Sequence, residues 1–383
     1  MRDSLILESK AHTFYVKREG IPKGCQQCLK GTKAVLFLNG ICQNPEHCWW
    51  YCPISEKRKG KKDTYINEIQ ISSKEQILHE LKAINAKGMS ITGGDPLYEP
   101  NLKKTLEYIK FTKEHKGKKF HIHLYTNGLN FSEEIALKLA RAGLDEIRFN
   151  PAKGNWDVIK HAINKGMSVG AEVPVIPEEE YLENLKKFIF YLSKIGADFI
   201  NLNEFEYNLP NSQNLKDRNF KLEAGTIASV KNSKECAIKL IYDIVPKVPI
   251  KIHFCTIIAK DYWQLRERYL RRAKTIKMPY EEITSDGLLL YALIEGEKMD
   301  IKMFCNLLLN EIKVPQTFLS LEATTIKLPI KFVMEDIFMD LLIQHNLHGY
   351  IIEMTPFREE KYQQITEKTP IKLFKEEMGL NDY

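Results

Sequence analysis

The 383-residue sequence predicts an α/β fold: an incomplete (β/α) barrel of about six or seven parallel strands, followed by a small α+β module. Three observations carry this expectation. From residue 34 onwards short β-rich runs alternate with amphipathic helical segments, and repeated βα units with short connections force a parallel sheet covered by helices. No GxGxxG follows any strand, which argues against an open dinucleotide-binding sheet. The segments richest in reactive side chains fall where strands end, the rim at which such barrels carry their sites.

Taken in order, AVLFLNG (34–40) is continuous and apolar, the mark of a strand buried on both faces. SSKEQILHELKAINAKG (72–88) opens on serines and Glu75, sets Ile77, Leu78, Leu81 and Ile84 on one helical face, and is stopped by Gly88. MSITGG (89–94) predicts the next strand and residues 100–115 the next helix. FHIHLYTNG (120–128), DEIRFN (145–150), SVGAEVPVI (168–176) and DFINLNEFE (198–206) follow as strands, separated by helical stretches near 132–142, 155–166 and 178–195. A longer helix near 225–243 leads to PIKIHFC (249–255), a seventh strand. Beyond about residue 277 the pattern changes, and YEEITSDGLLLYALIEGE and TTIKLPIKFVMEDIFMDLLIQ read as an α+β module. The predicted boundaries are an N-terminal extension over 1–33, a barrel core over 34–277 and an accessory module over 278–383.

Composition narrows the class. With 44% hydrophobic and 28% charged residues the chain is an ordinary globular protein, not a disordered one. The apolar stretches are strand-sized and residues 1–20 carry Arg2, Asp3, Glu8 and Lys10, so neither a signal peptide nor a membrane span is expected, and the default compartment is the cytoplasm. The net charge of +6 is modest but uneven, concentrated in Lys57–Lys62 and again in Arg266, Arg268, Arg271, Arg272 and Lys274. Either run alone reads as solvated surface; together they raise a polyanionic partner such as RNA.

Eight cysteines are few for a disulfide scaffold of this length, and five of them fall within residues 25–52, which points to metal ligation in a reducing compartment. CQNPEHCWWYC sets Cys42, Cys48 and Cys52 directly after the first barrel strand. Zinc could take these thiolates with His47 as a fourth ligand. A loop at the reactive rim suits better a cubane iron–sulfur cluster with one iron left for an outside ligand. Cys25 and Cys28 form a CxxC that His253 and Cys255 could complete as a second site, for zinc or another cluster. In a simple barrel, however, Cys28 precedes the first strand while Cys255 ends the seventh, at opposite rims. Cys236 reads as an inert core thiol.

Other rim residues invite chemistry. Gly93 and Gly94 permit close backbone approach to a ligand. Glu172 sits in an apolar strand, where a carboxylate needs a partner or a ligand hydroxyl. Glu204 and Glu206 alternate along a strand and so face one side, which makes them substrate-binding candidates if that side is the interior. Arg148 could hold a carboxylate or pair with Glu146.

With these motifs in view, the chain resembles radical S-adenosylmethionine enzymes, and more closely an archaeal group related to pyruvate formate-lyase activating enzymes. The resemblance spans about residues 25–277, through CQQCLKG, the cysteine loop with CPISEKRKGK, ITGGDPL, YTNGL, DEIRFNP, EVPVIP, LNEFEYN, and HFC with QLRERYLRRA. The spacing departs from the family: five residues separate Cys42 from Cys48 and three separate Cys48 from Cys52, where three and then two are usual. A loop absorbs such insertions at small entropic cost. The resemblance implies that Cys42, Cys48 and Cys52 hold a four-iron four-sulfur cluster. Its free iron would chelate S-adenosylmethionine, and reduction would yield a 5′-deoxyadenosyl radical that abstracts a hydrogen atom. It implies cofactor contacts at Tyr51, Gly93, Gly94, Asp95, Pro96, Thr126, Asn127 and Glu172, catalytic candidates at Glu172, Glu204 and Glu206, and an electron donor such as ferredoxin or flavodoxin. For the substrate, the basic runs and the extra module favour a nucleic acid such as tRNA. The activating-enzyme relatives favour a protein or peptide. A zinc-stabilised nucleic-acid-binding protein without radical chemistry is a third reading.

Overall fold

A computed structural model describes residues 5–335 and 337–379, which divide into two compact units, one running to Lys82 and over Ala86–Leu265, the other over Ala83–Asn85 and from Arg266 onwards. Unit one is built on an eleven-stranded sheet. Its strands are β1 (Ile6–Glu8), β2 (Phe14–Val16), β3 (Lys33–Phe37), β4 (Thr64–Ile66), β5 (Ile69–Ile71), β6 (Gly88–Thr92), β7 (His121–Thr126), β8 (Glu146–Phe149), β9 (Ser168–Val175), β10 (Phe199–Glu204) and β11 (Lys251–Cys255). The spatial order is β1-β2-β11-β10-β9-β8-β7-β6-β3-β4-β5. The seven central strands, β3 and β6 to β11, are parallel throughout. Antiparallel hairpins extend both ends, β1–β2 beside β11 and β4–β5 beside β3. The barrel is therefore partial, as the sequence predicts.

Helices α1 (Lys23–Leu29), α2 (Glu46–Trp49), α3 (Glu75–Ala83), α4 (Glu99–Lys116), α5 (Glu133–Ala142), α6 (Glu179–Lys194), α7 (Ser212–Asp217) and α8 (Ser233–Ile244) link the strands. Two expected helices differ. The segment expected over 155–166 is a 3₁₀ turn at Trp156–Ala162, closed by Asn164 and Gly166 at positive φ, the short connector such geometry suits. The one expected near 225–243 starts only at Ser233, because bridges Glu206–Ser229 and Leu222–Val230 occupy the preceding chain.

The strands sort their side chains by parity. Ile122, Leu124, Ile147, Phe149, Ile200, Leu202, Ile252 and Phe254 are buried on one face. The opposite face carries His121, His123, Tyr125, Glu146, Arg148, Glu172, Asn201, Asn203, His253 and Cys255. The described part of the segment read from sequence as an extension, residues 5–33, is part of this architecture: β1–β2 join the sheet and α1 packs against β3, β6 and β7 on the polar face. The Gly24 N–H donates to Glu146 there.

Unit two holds β12 (Glu282–Ile283), β13 (Leu289–Glu295), β14 (Ser320–Leu321), β15 (Thr325–Leu328), β16 (His348–Met354) and β17 (Ile365–Pro370) in an antiparallel sheet ordered β14-β15-β13-β16-β17, with β12 beside β13. Phe304, Leu308, Phe338, Leu342 and Ile351 anchor its own core. The helix Gln264–Ile276 crosses the division, and its Arg271 and Arg272 donate to the carbonyls of Ile84 and Pro356 within unit two. No helix among the described residues is long and apolar enough to cross a membrane.

Candidate active site at the strand ends

A cavity of about 440 Å³ opens at the C-terminal ends of the parallel strands, and Cys42, Cys48 and Cys52 all line it. The loop carrying them is held from several sides. Trp50 is buried between Phe205 and Phe220, stacked on the latter at 6.0 Å, with Arg218 over its ring at 4.3 Å. Asn214 donates to the Trp50 carbonyl and Asn211 to that of Tyr51. The Tyr51 hydroxyl, facing the cavity, accepts from Asn150 at 3.0 Å. His47, the possible fourth zinc ligand, uses Nε2 on the Asn150 carbonyl at 2.8 Å and is not among the cavity-lining residues.

The thiols themselves fit a cluster. Cys42 Sγ accepts from the Asn44 N–H at 3.4 Å and from Asn127 Nδ2 at 3.8 Å, the N–H···S donors a metal-bound thiolate requires. Burial, and then the neighbouring thiols, push Cys48 up to about 12, and burial likewise raises Cys42. A bound cation reverses that penalty and deprotonates its ligands.

Gly93, Gly94 and Pro96 line the cavity. A Cβ on Gly94 would lie 2.1 Å from the Ile41 carbonyl oxygen, and one on Gly93 2.4 Å from that of Asn39. The two glycines thus let the β6 turn lie against the backbone that delivers Cys42. Asp95 corrects its expected role as a cofactor contact. It is buried outside the cavity lining, where its carboxylate accepts from Thr126 Oγ1 and from the N–H groups of Leu97 and Asn127. Asp95 therefore positions Thr126 and Asn127, both of which line the cavity.

Glu172 reaches the cavity from β9, ion-paired to Arg148 and accepting from Asn203 Nδ2 at 3.0 Å. Burial opposes its charge, but Arg148 and Asn203 outweigh it and hold the carboxyl below its ordinary value. Arg148 also pairs with Glu146, as one of its two sequence readings expects. Glu204 and Glu206 correct a parity expectation. The interior-facing positions of β10 are Asn201 and Asn203, and the strand ends at Glu204. Both glutamates line the cavity at its rim. Glu204 accepts the Ile257 N–H at 2.8 Å, and Glu206 faces Lys260 at 3.5 Å.

Cys25, Cys28, His253 and Cys255, set at opposite rims by a simple barrel, line one smaller cavity in the structure, because α1 carries its cysteines onto the polar inner face. His121, His123 and Glu146 also bring ligand atoms within 4.8 Å of one another, but Glu146 is engaged by Arg148 and Gly24. Sequence reading missed Asn150, Asn203, Asn211 and Lys260. The signal for the interior set was the alternation of polar residues in HIHLYT, EIRF, FINLNE and KIHFC.

The sequence profile of the Radical SAM superfamily matches residues 42–196, starting at the first loop thiol. A protein of Methanocaldococcus jannaschii, provisionally described as a glycyl-radical enzyme activating enzyme, is 36% identical over 353 residues, covering 88% of this chain and 90% of its own. Among solved structures, SuiB of Streptococcus suis bound to the precursor peptide SuiA aligns with a TM-score of 0.43 at 15% identity, covering 67% of this chain and 58% of that one. Coproporphyrinogen III oxidase of Escherichia coli aligns at 0.31 and 9% identity, covering 71% and 82%. A three-thiol loop at the rim of a partial parallel barrel, matched by that profile, defines a radical S-adenosylmethionine enzyme. The chain belongs to the radical S-adenosylmethionine superfamily, in the group related to pyruvate formate-lyase activating enzymes. That membership sets aside the reading as a zinc-stabilised binding protein without radical chemistry.

Proposed function

We propose that this enzyme abstracts a hydrogen atom from a protein substrate, at a glycine carbon presented on a segment that enters the 440 Å³ cavity. The observation that carries this is the 36% identity, over nearly the whole of both chains, to a protein described as a glycyl-radical enzyme activating enzyme. When bound, a four-iron four-sulfur cluster and S-adenosylmethionine supply a 5′-deoxyadenosyl radical, which becomes 5′-deoxyadenosine on taking the substrate hydrogen. Cys42, Cys48 and Cys52 would hold the cluster. Gly93, Gly94, Asn127 and Glu172 would hold the nucleoside cofactor, with Asn127 also orienting Cys42. Trp50, with Phe205 and Phe220, packs behind the loop. A ferredoxin or flavodoxin would be the reductant. Eight free cysteines suit the cytoplasm.

A nucleic-acid substrate is the weaker reading. Arg58 lies over the Tyr65 ring at 4.0 Å, Lys59 pairs with Glu56, and in the second run Arg272 is buried. Arg58 and Arg272, at least, thus serve packing.

Labelling tests the proposal. The reduced enzyme is incubated anaerobically with S-adenosylmethionine and host proteins grown on glycine deuterated at carbon 2. Deuterium in the 5′-deoxyadenosine is the expected result. Deoxyadenosine formation stimulated by host tRNA, with unlabelled product from the protein fraction, would overturn it.

A further inference from the structure

A second cavity of about 120 Å³ adjoins the first on its inner side and shares Arg148, Glu172 and Lys260 with it. Its walls also include Cys25, Cys28 and Cys255, all buried and free, and His253. The histidine's state is readable. The Asn201 amide nitrogen donates to Asn203 Oδ1, which fixes Asn201 Oδ1 as the acceptor facing His253 Nδ1. Nδ1 therefore carries the proton, and Nε2 is left as a lone pair, buried and without a partner. A fully buried acceptor lacking a donor costs free energy that a metal would recover. The neutral tautomer whose other nitrogen is fixed by a carbonyl oxygen is the form that ligates metals.

Two of the thiols accept side-chain hydrogen bonds. Arg148 Nη1 donates to Cys25 Sγ at 3.4 Å and Gln264 Nε2 to Cys255 Sγ at 3.9 Å. The free volume favours a polynuclear body over a single ion. Structural zinc draws four ligands into a closed tetrahedron at ~2.3 Å from sulfur, which leaves no void. The cavity is several times the ~30 Å³ share of one water, room for a polynuclear body. We propose that Cys25, Cys28 and Cys255, completed by His253 Nε2, hold an auxiliary iron–sulfur cluster.

The test leaves the interior intact. The Cys42→Ala/Cys48→Ala/Cys52→Ala variant is reconstituted anaerobically, and its iron and acid-labile sulfide are measured with the electron paramagnetic resonance of the reduced protein. Retention of about half the wild-type iron and sulfide is expected, with a signal that added S-adenosylmethionine does not alter and with nitrogen hyperfine coupling. Adding Cys25→Ser/Cys28→Ser should remove it. His253→Cys should keep the iron but lose the nitrogen coupling. Absence of iron and sulfide from the loop variant would overturn the proposal, and so would one zinc per chain in their place.

Discussion

Asp95 shows how a buried residue can serve a site through its neighbours. Its carboxylate ties the turn after β6 to the turn after β7, and through Asn127 to Cys42. Burial raises it from 3.8 to about 6, against the pull of the N–H groups of Asn127 and Leu97. A carboxyl raised on folding contributes stability that is fully present below its unfolded value and is lost as pH rises through the folded one. In the metal-free protein, the stability of wild type relative to Asp95→Asn should therefore fall between pH 4 and pH 7. A shift of about two units corresponds to a fall of up to ~3 kcal/mol. Urea unfolding of both proteins across that range measures it, and a pH-independent difference would refute the assignment. From sequence, GGDP marked the right turn but not which of its residues faced the cavity. Glycine's tolerance for close approach is legible in a string; a carboxylate's direction depends on which neighbours supply donors.

At the scale of elements, continuous apolar runs and short connections sufficed to order the seven parallel strands, because buried parallel strands tolerate few polar residues on their helix-covered face. What escaped was the content of the inner face. Period-2 polarity in HIHLYT and FINLNE was present in the sequence, yet Glu204 and Glu206 were phased on a strand running two residues past the end of β10. The hairpins β1–β2 and β4–β5 are three-residue strands, too short for a periodic signal. Helix α1 is similarly brief, and its place on the inner face rests on Gly24. A Cβ there would lie 2.5 Å from Arg148 Nη2 and 2.7 Å from the His123 ring. Arg148 is pinned by Glu146 and Glu172 and cannot yield freely. Gly24→Ala should therefore cost about 1–3 kcal/mol, the usual price of overpacking a filled interior. Urea denaturation measures this, and a neutral result would mean that α1 slides without loss.

On the scale of the whole molecule, the two units carry separate cores. Phe304, Phe338 and Ile351 belong to one unit, while Trp50, Phe205 and Leu215 belong to the other. All seven cysteine and histidine side chains proposed as metal ligands, Cys25, Cys28, Cys42, Cys48, Cys52, His253 and Cys255, lie in unit one. Metal that binds only the folded state adds its binding free energy to folding, so its removal weakens the structure that positions its ligands. The ligands sit on α1, on the loop after β3 and on β11, near both ends of the parallel order. Hydrogen exchange followed by mass spectrometry before and after anaerobic chelation should thus show a selective change. Amides of β3, α1 and β11 should exchange at least ~100-fold faster, the equivalent of ~2.7 kcal/mol of lost binding. Those of β13 and β16, whose partners lie within unit two, should keep their rates. Equal loss of protection in both units would show that the metal-bearing unit and the C-terminal sheet unfold as one body.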